Sequence, residues 1–97
     1  MTLNVVVTPQ FEAWARNLRD RRIRTVIALR IARAEAGNLS DRKSLGRGLW
    51  EMRIPVGPGY RLYYCIRPQH RLVLLIGGDK STQSSDIQLA RVISDEV

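Results

Sequence analysis

Hydrophobic and polar positions recur along the chain with two different periods. Leu3 to Val7 is a short, largely β-branched run and predicts a strand. Thr8-Pro9 follows as a helix start. It has a hydroxyl at the N-cap and a proline at the first helical position, where the missing N–H is not needed. Phe11, Trp14, Ala15 and Leu18 then recur at helical spacing. Asp20-Arg21-Arg22 interrupts that stripe. Ile23, Val26, Ile27, Ile31 and Ala34 form a second one, with Arg24, Arg30 and Arg33 toward its flanks. Gly37-Asn38 supplies a C-terminal stop. The two segments predict a helical hairpin.

Residues 39–48 are polar and contain glycine, which predicts a loop. Leu49 to Ile54 alternates, with Trp50, Met52 and Ile54 on one face and Leu49, Glu51 and Arg53 on the other. Pro55 to Gly59 reads as a turn. Tyr60 to Ile66 is the clearest strand, with Tyr60, Leu62, Tyr64 and Ile66 opposite Arg61, Tyr63 and Cys65. Arg67 to His70 makes a hairpin turn in which His70 is solvated. Arg71 to Ile76 is an apolar central strand that Gly77-Gly78 ends. Ser81 or Thr82 caps a last helix with Ile87, Ala90 and Ile93 turned inward. The order β-α-α-β-β-β-α predicts an α+β fold, a mostly antiparallel sheet packed on helices. The first strand joins that sheet, the helices cover one face, and the other face is left partly open. Without a repeat or a linker, residues 1–97 read as a single domain.

Composition adds a partner class. The 97 residues are 44% hydrophobic, enough for one modest core. There are 16 basic and 9 acidic side chains, a net charge of +7, and fourteen of the basic ones are arginine. Arginine presents a planar fork that matches phosphate, so an anionic partner, nucleic acid or acidic protein, is expected. Composition also excludes. Cys65 is the one cysteine, which rules out an internal disulfide and a cysteine zinc site. His70 is the one histidine, which rules out a Ser-His-Asp triad or a multi-histidine metal site. No metal and no cofactor are expected. The longest apolar run, Leu72 to Ile76, is far short of a membrane span, and the N-terminus has no secretory pattern. The expectation is a cytoplasmic protein without a membrane partner.

The alternation that sets the strand faces also gathers charge. Glu51 and Arg53 share one face, Arg61 lies across a tight turn, and Lys80 follows the next strand. Three cations and one carboxylate around one groove suit a phosphodiester. The cations stabilise the extra charge of a pentacoordinate phosphorus, and the carboxylate takes the proton of a ribose 2′-hydroxyl. The plainer reading of Glu51 and Arg53 is a solvated ion pair worth ~0–1 kcal/mol.

The segments GNLSDRKSLGRGLWEMRI, GPGYRLYY and LLIGGDKSTQSSDIQLA resemble the RelE/ParE toxin superfamily. They are closest to its addiction-module killer branch, the phage Gp49-like and HigB-like toxins. The resemblance implies the toxin of a type II toxin–antitoxin pair. RelE-like members of the superfamily are metal-independent endoribonucleases that cut mRNA on the ribosome. It also implies a helix-turn-helix antitoxin as partner, and operator DNA bound through that antitoxin. By the same resemblance Arg61 matches the arginine of the GYR strand that contacts the scissile phosphate. Glu51 and Arg53 match charged positions on the preceding strand, and Lys80 matches a basic residue after the last strand. Lys43, Arg47, Tyr63, Asp79 and Gln83 are the candidate substrate contacts. Where such toxins carry a tyrosine or histidine near the final helix, this chain has Asp86-Ile87, which leaves base stacking to Tyr63 or to the ribosome. The superfamily also contains ParE-like gyrase inhibitors with the same fold, and an inactive toxin serving only as co-repressor is a third expectation.

Overall fold

The computed structural model describes residues 2–39 and 41–97; whatever the sequence predicts for Met1 and Ser40 lies outside them. The strands are β1 (Asn4–Val7), β2 (Arg42–Gly46), β3 (Leu49–Ile54), β4 (Tyr60–Arg67) and β5 (Arg71–Asp79). The helices are α1 (Pro9–Arg16), α2 (Arg21–Glu35) and α3 (Gln83–Glu96), the last preceded by a 3₁₀ turn, Lys80–Thr82. The sheet runs β1-β5-β4-β3-β2. β1 joins β5 in parallel, and every other pairing is antiparallel.

Local chemistry explains the helix ends. Thr8 Oγ1 accepts the Phe11 N–H at 3.0 Å and donates to the Leu75 carbonyl at 2.7 Å, so one buried hydroxyl both caps α1 and ties it to β5. Asp20 Oδ1 accepts the Arg22 N–H and caps α2. At the other end of α2, Asn38 N–H reaches the Arg33 carbonyl and Gly37 N–H the Ala34 carbonyl, each at 2.9 Å. Gly37 takes the left-handed conformation (φ 93°) that this Schellman ending needs.

The alternation read in β3 and β4 sorts the core into two layers. Met52, Ile54, Leu62 and Tyr64 pack with Phe11, Ile23, Ile27 and Ala34 of α1 and α2. Leu49, Tyr63, Cys65, Val73 and Leu75 pack with Ala90 and Ile93 of α3. This corrects the expectation of one open sheet face. α3 covers the second face, and the unbroken apolar run of β5 exists because both of its faces are buried.

Three further expectations change. The segment predicted as a loop holds β2, an edge strand of sequence RKSLG in which only Leu45 is apolar. β2 and β3 are joined through Arg47 (φ 51°) and Gly48 (φ 78°), the two left-handed residues of a tight hairpin. Gly77-Gly78 does not end β5, which runs on to Asp79. The helix cap also moves. Asp79 caps the 3₁₀ turn, and Thr82, at the N-cap of α3, makes no side-chain cap bond. Its hydroxyl donates instead to Asp86 Oδ2 at 2.6 Å.

Candidate functional site: a basic cleft at the β3–β4 turn

The β3–β4 hairpin brings Arg53 and Arg61 into direct register. Like charges in that relation repel unless each is answered. Arg53 Nε lies 3.4 Å from Asp41 Oδ1, and Arg61 Nε lies 3.5 Å from Glu51 Oε1. Gly59 (φ +81°) lies between Arg61 and Lys80. A Cβ there would stand 3.8 Å from Arg61 Nη1 and 3.9 Å from Lys80 Cβ. The three cations thus converge on one cleft of about 370 Å³, lined by Asp41, Arg53, Ile54, Pro55, Gly59, Tyr60, Arg61 and Lys80.

Glu51 stands beneath this cleft and does not line it. Its side chain is 2% exposed, against 15% for Arg61 and 44% for Arg53. Gln83 Nε2, from the first residue of α3, donates to Glu51 Oε1 at 3.1 Å. Gln83, Glu51 and Arg61 therefore form a chain along the α3 face of the sheet to the cleft floor. The general-base role expected of Glu51 does not fit this placement: a carboxylate held under an arginine has no path to a hydroxyl in the cleft. The carboxylate on the cleft wall is Asp41, which the sequence reading passed over because it sits in a polar stretch with no strand pattern.

The other expected contacts divide. Tyr63 is fully buried, so it offers no face to a base. Its hydroxyl has no hydrogen-bond partner. Burial pushes its pKa well above the ordinary 10.0, and the negative charges of Glu51 and Asp86 push it further, while Arg61 pulls it back. Asp79 is spent on the 3₁₀ turn. The Ser81 hydroxyl and then the Ser81 N–H hold its carboxyl below the usual range. Gln83 serves Glu51. Lys43, exposed on the edge strand, pairs in register with Glu51 but does not line the cleft. Arg47 sits at the far end of β3, roughly 20 Å of strand away. There it borders a separate cavity of about 110 Å³ with Leu49, Arg91, Ser94 and Asp95.

Among the described residues no group of three or more histidine, cysteine, aspartate or glutamate side chains is arranged to hold a metal. Nor is any helix among them long and apolar enough to cross a membrane.

The fold is that of RelE toxins. It superposes on a double mutant of E. coli toxin RelE in the free state with a TM-score of 0.73, at 13% identity over 95% of this chain and 96% of that one. It is also similar to a chain of the toxin–antitoxin complex RelBE2 from Mycobacterium tuberculosis, with a TM-score of 0.65 at 24% identity over 82% of this chain and 100% of that one. A protein of Haemophilus influenzae, itself uncharacterized, is 39% identical over 97 residues, covering 100% of this chain and 98% of that protein. The model of the family described as phage-derived protein Gp49-like (DUF891) matches residues 10–94, and the chain belongs to that family.

Proposed function

We infer that this protein is the toxin of a toxin–antitoxin pair and a metal-independent endoribonuclease that cuts mRNA on the ribosome. The observation that carries this reading is the convergence of Arg53, Arg61 and Lys80 on one cleft. The ribose 2′-oxygen attacks the adjacent phosphorus, its proton passes to a base, and the P–O5′ bond breaks with the departing 5′-oxygen taking up a proton, leaving a 2′,3′-cyclic phosphate and a 5′-hydroxyl. Arg61 and Arg53 hold the phosphate oxygens and stabilise the added charge, and Lys80 neutralises the leaving side. Asp41, half exposed on the cleft wall, is the carboxylate in reach of the 2′-hydroxyl. Glu51 and Gln83 are positioning residues that fix the Arg61 guanidinium.

The antitoxin partner follows from charge. A net +7 concentrated in arginine calls for an acidic cover while the toxin is idle. The likeness to one half of a RelBE complex supports the same partner. We assign operator DNA contacts to that antitoxin.

The test is to induce the chain in translating cells and map mRNA 5′ ends. New ends within translated transcripts are expected. Halted growth with intact transcripts, together with inhibition of purified gyrase in a supercoiling assay, would replace the nuclease with a gyrase inhibitor.

A further inference from the structure

The cleft has two unlike walls. Arg53, Arg61 and Lys80 form one; Ile54, Pro55 and Tyr60 form the other. Phosphate binding uses the first and leaves the second without a task. That second wall is firmly built. The Tyr60 ring packs against the main core, its centroid 6.4 Å from that of Trp14 at an interplanar angle of 60°. Trp14 is tilted against Phe11 at 5.6 Å and 50°. It lies so close on β5 that a Cβ at Gly77 would come within 2.2 Å of the indole. A stack running from Gly77 through Trp14 therefore backs Tyr60 on the α1 face of the sheet, whereas Arg61 leaves β4 on the α3 face, and the cleft lies across the end of the β3–β4 hairpin between them. The turn borders the same ring, since a Cβ at Gly57 would lie 3.7 Å from Tyr60 Cε2.

We propose that Tyr60, with Pro55 beside it, forms a subsite for one unpaired nucleobase next to the phosphate held by Arg61. The proposal rests on the RNA reading above and names the form of RNA the cleft takes. An aromatic ring beside cations is the combination by which single strands are bound, the ring taking a base face and the cations the backbone. A base in a duplex has both faces covered and cannot offer one. The cleft volume of about 370 Å³ lies within the range of small-ligand sites. Tyr60 is the one aromatic side chain among the described residues that line it. The tyrosine expected to stack, Tyr63, shares the sheet face of Arg61 but is fully buried there under α3.

The test uses a 2′-O-methyl RNA trimer, which cannot be cut, and its counterpart lacking the bases. Both are titrated into the ¹⁵N-labelled protein at low salt. The wild type is expected to bind the base-bearing trimer about five-fold or more tighter than the base-free one. Tyr60→Phe keeps that ratio, and Tyr60→Leu brings it near one with the rest of the amide spectrum unchanged. Arg61→Ala weakens both trimers alike. If Tyr60→Leu does not fold, ring-current shifts of the wild-type Tyr60 ring protons, seen only with the base-bearing trimer, give the same answer. A wild-type ratio of one, an undiminished ratio in Tyr60→Leu, or no binding of either trimer overturns the subsite. Cleavage on programmed ribosomes is scored separately. Cleavage without base dependence removes the subsite and leaves the nuclease, and base dependence without cleavage does the reverse.

Discussion

Glu51 reaches Arg61 from inside the protein, Oε1 to Nε 3.5 Å, with only 2% of the carboxylate side chain exposed. The pair is held together by burial and by the Gln83 amide, not by exposure to a shared ligand. Removing the charge with Glu51→Gln leaves the arginine without its counter-ion in a place that water barely enters. A stability loss of about 1–3 kcal/mol is expected in thermal or denaturant melts.

Asp41 and Glu51 separate a base from a positioning residue. Asp41→Asn is expected to lower single-turnover cleavage by roughly 10²–10⁴-fold, the loss that follows removal of a general base. Glu51→Gln should lower the rate by less than loss of Arg61 itself. A larger loss in Glu51→Gln than in Asp41→Asn would return the base role to Glu51.

Tyr63 carries an alkaline prediction. Its folded pKa lies above the ordinary 10.0, so the folded protein keeps a proton that the unfolded chain releases. Stability is then full below pH 10 and falls as pH rises beyond it. Tyr63→Phe removes that dependence. It also removes a buried hydroxyl without a partner, so at neutral pH it changes stability by no more than about 1 kcal/mol. Melts of both proteins from pH 7 to 11 check the two statements together.

The paired glycines of β5 are expected to differ. A Cβ at Gly77 would meet the indole of Trp14 at 2.2 Å, and the indole is walled in by Phe11 and Tyr60. Gly77→Ala should cost about 1–3 kcal/mol or more and shift the tryptophan fluorescence. At Gly78 the obstacle is the end of the Asp86 side chain, 1.8 Å away, which can rotate aside at the expense of its Thr82 bond. Gly78→Ala should therefore be the milder change.

These glycines also show where sequence reading stops. Gly-Gly after an apolar run reads as a terminator, yet here each glycine admits a side chain from another element, one on each face of a continuing strand. Such a reason is tertiary and leaves no local signal. The strand faces of β3 and β4 were legible because each is a two-residue alternation with a large side chain at every step. β2 was not, since RKSLG alternates nothing; it is ordered by pairing with β3 and by Arg42 lying 4.7 Å over the Trp50 ring. Arg53 and Arg61 were legible as neighbours from the short turn alone. Glu51 was legible as their companion and not as a buried group, because what buries it is α3, about thirty residues further on. The unbroken apolar run Leu72 to Ile76 carries the signature of a strand buried on both faces, against the expectation of a partly open second face.

A neighbouring small helix-turn-helix protein is expected to co-purify with this chain and to hold it through salt-sensitive contacts with the arginines. Elution of the two proteins as separate species at low salt would contradict that partner.

The most direct measurement is single-turnover cleavage of mRNA on programmed ribosomes by the purified wild type and by Arg61→Ala, with folding of the variant checked by its amide spectrum. Wild-type cleavage is expected, with a drop of roughly 10²–10³-fold in the variant, the loss typical of removing one fixed donor to a developing charge. Intact mRNA with the wild type, or undiminished cleavage by a folded Arg61→Ala, would contradict it.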